Sequence, residues 1–150
     1  MEIIDPHVHI WDPRKTPREV TPVVRLFGRW PNFAEALVRK ATPQPLNDFV
    51  GDPRYVMSAH MPETFQADTG HHTVTGYVHI EADWKQKGTL GPVGETLWLE
   101  SLDDPPMALV AKADLSDPAI LEAQLDAHAL SSGRLRGIRD IVARDRKSVV

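Results

Sequence analysis

Between Thr73 and Arg139, runs of β-formers alternate with helical runs, and this alternation constrains the fold more than any other feature of the 150 residues. Thr73 to Ala82 (TVTGYVHIEA) reads as a strand. Gly94 to Leu102 then reads as a helix. Met107 to Ala113 (MALVAKA) is an almost wholly apolar strand, the pattern expected when both faces are covered. Asp117-Pro118 starts a helix with a capping Asp and Pro at its first position. Ile120, Leu121, Gln124, Leu125 and His128 keep a 3.6 period until Gly133. Arg134 to Arg139 closes the series as a short strand, and Glu2 to Ile10 supplies an earlier one. Strands separated by helices signal a parallel α/β sheet. Four such units are half of an eightfold barrel, which typically needs about 250 residues. An open doubly wound sheet would suit the length better. It would, however, carry a Gly-x-Gly-x-x-Gly turn after the first strand, where this chain has His-Val-His-Ile-Trp-Asp.

The stretch from about residue 11 to residue 72 is different in kind. Prolines at 13, 17, 22, 31, 43, 45, 53 and 62 leave room only for short helical pieces. One is expected to start at Asn32, with Glu35 placed for a capping box. An insertion this long is usually functional, and Phe27, Trp30, Phe33, Leu37, Phe49 and Tyr55 suit a packed, lid-like segment.

His7 and His9 form a His-x-His pair at the end of the first strand. Residues two apart on a strand point to one side, so both imidazoles can reach a single metal ion. The chain has no cysteine, so any metal would be held by His and carboxylates. Asp5 or Asp12 could orient one of the rings from behind, although Asp5-Pro6 is also an ordinary turn pair. The net charge of −4 and pI near 5.9 give no electrostatic footprint for nucleic acid or an anionic membrane. No apolar run approaches a membrane span and no signal-peptide layout opens the chain, so the cytoplasm is the expected compartment.

Four motifs taken in order, Asp5-Pro6-His7-Val8-His9-Ile10-Trp11-Asp12, Val78-His79-Ile80-Glu81-Ala82-Asp83-Trp84, Gly94-Glu95-Thr96-Leu97-Trp98-Leu99 and Leu135-Arg136-Gly137-Ile138-Arg139, resemble the amino-terminal half of the amidohydrolase superfamily. The similarity is to its branch of sugar-acid lactonases and 2-pyrone-4,6-dicarboxylate lactonase, and it runs from Met1 to about Arg144. It implies the first four units of a (β/α)8 barrel, with a long loop after strand 1 and a site at the carboxyl mouth that opens a cyclic ester with water. His7 and His9 match the His-x-His of the first barrel strand. The implied cofactor is a divalent ion, zinc first, although some lactonases of this branch work without one. A metal-dependent decarboxylase of the same superfamily is the alternative activity.

Other polar residues divide between chemistry and structure. His79 and Glu81 share one face of the second strand, so they either line a barrel interior and bind substrate or form a buried structural pair. Arg139 would clamp a substrate carboxylate with its planar fork, or end in a surface salt bridge. Lys112 alternates with apolar neighbours and is expected to reach solvent, and His71-His72 is expected in a solvated turn. Trp11, Trp30 and Trp84 wall a pocket or simply pack. His128 falls on a helix and so lies outside any barrel interior.

The family pattern continues with more histidines and a late aspartate acting as general base, none of which can be assigned here. Asp145 to Val150 reads as the translation of a common sequencing adapter, and is expected to be a non-native tail on residues 1–144. On this view the partner is a small lactone or related carboxylated ring. The isolated chain would be inactive, and its exposed barrel edges would invite self-association.

Overall fold

The computed structural model describes residues 2–44, 48 and 51–141; the tail expected at residues 145–150 lies outside them. The fold is α/β. Four strands, β1 (Glu2–Val8), β2 (Thr73–Ile80), β3 (Ala108–Lys112) and β4 (Leu135–Arg139), form one sheet in the order β1-β2-β3-β4. Every pair is parallel. Helices α5 (Val93–Glu100) and α6 (Pro118–Ser131) connect β2 to β3 and β3 to β4. Ile10–Gly70 forms a compact unit of its own.

Local chemistry sets the ends of these elements. The β1–β2 register slips between Asp5 and Val8, where Pro6 has no N–H to give to the ladder; β1 bonds on one side only, and an edge strand tolerates such a proline. Asp5 spans the gap, its Oδ1 accepting from His7 N at 2.9 Å. Gly76 in β2 lies against Met107, whose Sδ would be 2.8 Å from an added Cβ. Asp117 caps α6 by accepting from Ala119 N at 3.0 Å and Ile120 N at 3.4 Å, ahead of Pro118.

Tyr77, His79, Leu109 and Ala111 are buried, together with Leu99, Thr96 and Val93 of α5. Both faces of β3 were expected to be covered, yet its burial alternates: Ala108, Val110 and Lys112 are only half-buried. Helix α6 also departs from an apolar stripe. Its fully buried residues are Gln124 and His128, while Ile120, Leu121 and Leu125 are half-buried. Gln124 donates to Thr89 O at 2.7 Å and accepts from Asp114 N at 2.8 Å. The helix is therefore keyed to its neighbours by hydrogen bonds as much as by apolar packing, because a buried amide is costly unless satisfied.

The Ile10–Gly70 unit is more helical than its prolines suggest. It holds α1 (Thr21–Phe27), α2 (Pro31–Ala41), α3 (Pro53–Met57) and α4 (Pro62–Asp68). In all four a proline sits in the first turn, where its missing N–H costs nothing. The expected cap at Asn32 is not formed. Pro31 starts α2 with Trp30, two residues before Asn32, at the cap position and no capping side chain, and Glu35 instead pairs with Arg39 at 3.1 Å. A two-way backbone bridge between Trp11 and His60, 2.9 Å in each direction, draws distant parts of this unit together. Arg18 lies 5.0 Å over the Trp11 ring. No helix among the described residues is long and apolar enough to cross a membrane.

Candidate functional site

The histidine pair sits where β1 ends. His7 Nε2 and His9 Nε2 lie 3.2 Å apart, and the rings meet edge to face with centroids at 5.0 Å. His9 Nδ1 is 2.9 Å from Ile80 O and 3.1 Å from Glu81 O. Carbonyl oxygens only accept, so neutral His9 carries its proton on Nδ1 and keeps its lone pair on Nε2, toward His7. Burial, with a smaller contribution from neighbouring His7 and Arg139, holds the His9 pKa below its ordinary value and outweighs the bond to Ile80. His9 is therefore neutral at pH 7, the form a metal requires. Two tetrahedral zinc ligands at 2.0–2.1 Å have their nitrogens about 3.3 Å apart, and the observed separation matches. Among the described residues no group of three or more His, Cys, Asp or Glu is placed to hold an ion.

The carbonyls that orient His9 were not foreseen. Asp5 or Asp12 was the expected support, but Asp5 bonds the His7 backbone. Asp12 accepts from Arg14 N at 2.9 Å and lies 3.7 Å from Lys15 Nζ. No sequence signal marks a backbone oxygen from a strand some seventy residues away.

Glu81 ties the neighbouring strands together. Its Oε1 accepts from Arg139 Nε at 3.0 Å and Nη2 at 2.7 Å, and its Oε2 from Asp83 N at 2.9 Å. Its backbone N donates to Val110 O at 2.9 Å, while its carbonyl serves His9. The carboxylate is almost fully buried and Arg139 about one-third exposed. The shared face expected for His79 and Glu81 does not give them a shared partner. His79 Nε2 lies 3.6 Å from Oε1 of Glu95 on α5, both side chains buried, and that oxygen also accepts from Ala82 N at 2.9 Å. The structure thus joins His9, Glu81 and Arg139, and pairs His79 with Glu95. Glu95 had only its place in the first turn of a helix to mark it.

Asp83, two residues past Glu81, has φ of 60°, a strained conformation for a residue other than glycine. Its carboxylate lies 3.1 Å from Lys85 and 3.8 Å from Lys112. Lys112 was expected to end in solvent and is instead held near this turn. His128 is fully buried, as a structural bridge: Nδ1 is 2.8 Å from Thr96 Oγ1 and Nε2 is 3.0 Å from Lys112 O. His71 and His72 are exposed in a turn, with ring centroids 4.2 Å apart. Trp84 is 6.2 Å from Trp98 and bonds Gln86 at 3.1 Å, and Trp30 is exposed.

These features define an α/β protein with a parallel four-stranded sheet and a histidine pair at the end of its first strand. Comparison with known proteins finds no matching family model, curated protein or solved structure.

Proposed function

We propose that this chain is the amino-terminal part of an amidohydrolase-like (β/α)8 barrel, and that the complete site opens the lactone of a sugar acid or related carboxylated ring. The observation that carries the reading is the geometry of His7 and His9: two Nε2 atoms 3.2 Å apart, with the His9 tautomer set by the carbonyls of Ile80 and Glu81. Four parallel strands in sequential order with connecting helices suit the first units of such a barrel. A divalent ion on this pair would supply Lewis acidity toward the carbonyl and a more acidic water. His9 presents its lone pair because its other nitrogen is occupied, and Glu81 fixes the strand end that does this. Arg139 keeps Nη1 outside its bonds to Glu81 and offers that edge to a substrate carboxylate. Among the described residues no third His, Cys, Asp or Glu joins the pair in a metal-holding group, and on this reading no turnover is expected from the chain alone.

Zinc or cobalt titration of the full chain, followed by histidine NMR and equilibrium dialysis, tests the reading. Weak 1:1 binding that shifts the His7 and His9 resonances and disappears in His9→Ala is expected. Binding unchanged in His7→Ala and His9→Ala, or no binding at all, would sink it. So would turnover of a sugar-acid lactone by chain freed of host enzymes, as regards inactivity.

A further inference from the structure

The Ile10–Gly70 unit contains a second site of different chemistry. A cleft of about 550 Å³ is lined by Asp12, Arg14, Val24, Gly28, Arg54 and Met57, among others. A smaller recess of about 220 Å³ shares Arg14, Val24 and Gly28 and adds Arg25 and Arg29. Four guanidinium groups therefore border two depressions that share a wall, Arg54 on the larger, Arg25 and Arg29 on the smaller and Arg14 on both; the larger is in the size range of small-molecule sites.

Their charges are not equally committed. Arg54 lies against Asp52, with Nε at 2.8 Å and Nη2 at 2.5 Å from Oδ2. The Asp52 carboxyl, held at about 2 by its bonds to Arg54, stays ionised and cancels that cation. Arg25 donates through Nε to Arg14 O at 2.7 Å, which fixes the turn carrying Arg14 beside α1. Asp12, the acid in the lining, is engaged by Arg14 N and lies near Lys15. The guanidinium groups of Arg14 and Arg29 have no hydrogen bond or ion pair among the described residues, and both are exposed. Favourable placement at the carboxyl end of α1 accounts for Arg25 in its last turn. It does not account for Arg14, which belongs to a separate turn and still converges on Gly28, where an added Cβ would be 3.4 Å from Arg14 Nη2. Charge follows the same division: residues 10–70 carry eight Lys and Arg against seven Asp and Glu, in a chain whose net charge is −4. Val24, Met57, Pro13 and Pro31 give the cleft apolar wall.

We propose that these adjoining depressions bind a small molecule bearing a carboxylate or phosphate group, with Arg14, which lines both, and Arg29 of the smaller recess taking the anion and the apolar wall of the larger cleft receiving the body. The planar fork of arginine matches both oxyanions. Because the clamping groups are exposed, affinity is modest, with Kd of about 1 mM at low salt. The site uses no residue of the histidine pair and does not depend on the enzymatic reading.

Titrations of the full chain with inorganic phosphate and with glutarate, followed by amide NMR at low ionic strength, test it. Saturable single-site binding of at least one probe is expected, and the preferred probe identifies the head group. Arg14→Gln/Arg29→Gln should weaken it by about fivefold or more, the loss expected when a charge-assisted clamp is removed. Lys40→Gln, outside the cleft, should leave it unchanged, and unaltered amide spectra of the free variants show that they fold. Absence of saturation by both probes, a smaller loss in the double variant, or an equal loss in Lys40→Gln overturns the proposal.

Discussion

Replacing Thr96 with Val would cut one end of the bridge that holds α5, α6 and β3 together. Thr96 and His128 are 1% and 0% exposed, respectively. Because His128 Nε2 faces the carbonyl of Lys112, its Nδ1 is the acceptor and the Thr96 hydroxyl the donor. Valine keeps the shape and removes the proton donor, leaving a buried ring nitrogen unsatisfied, at a cost of about 1–3 kcal/mol. The added methyl returns roughly 0.8 kcal/mol of apolar burial, for a net loss of about 0.2–2 kcal/mol, near 1 kcal/mol at mid-range. In a chain of this size the mid-range loss lowers Tm by about 2–4 °C, and urea denaturation should show a reduced midpoint at unchanged slope. Combining Thr96→Val with His128→Phe should cost less than the sum of the two, by about 1 kcal/mol, since the second change removes the group orphaned by the first. Strict additivity, or a single variant as stable as the parent chain, would refute the bridge as a source of stability.

Two further outcomes follow from the buried charges. Burial holds His9 and His128 below the ordinary 6.5 in the folded chain, so the unfolded chain takes up protons first as pH falls. Stability should therefore be greatest above about pH 6.5 and decline below it toward the folded values; urea midpoints that stay flat or rise from about pH 8 to about pH 5.5 would contradict this. The Glu81–Arg139 pair should respond asymmetrically. Arg139→Met strands a buried carboxylate and should cost about 3 kcal/mol. Glu81→Gln leaves an arginine that can turn to water, and should cost about half that. Chemical denaturation with the order reversed would count against the burial argument.

The architecture was largely legible along the chain. β-branched and aromatic runs placed the strands, Asp117-Pro118 placed the start of α6, and the alternation of strands with helices signalled a parallel sheet, because each of these properties is written in local runs of sequence. The capping of α2 is not legible there, because Asn32 has the chemistry of a cap while Pro31, able to start a helix without donating, takes the first position. The candidate site was legible only in part. His7 and His9 declared themselves by spacing, because a strand puts alternate side chains on one side. The His9 tautomer, the union of Glu81 with Arg139, the turn of His79 toward Glu95 and the placing of Arg14 and Arg29 on one recess are decided only in three dimensions. Each depends on atoms brought together by chain crossovers, many of them backbone carbonyls that every residue possesses. Sequence alone determined which groups were available and which elements carried them; tertiary structure decided which met, because hydrogen bonds and charge pairs act over a few ångströms whatever their separation along the chain.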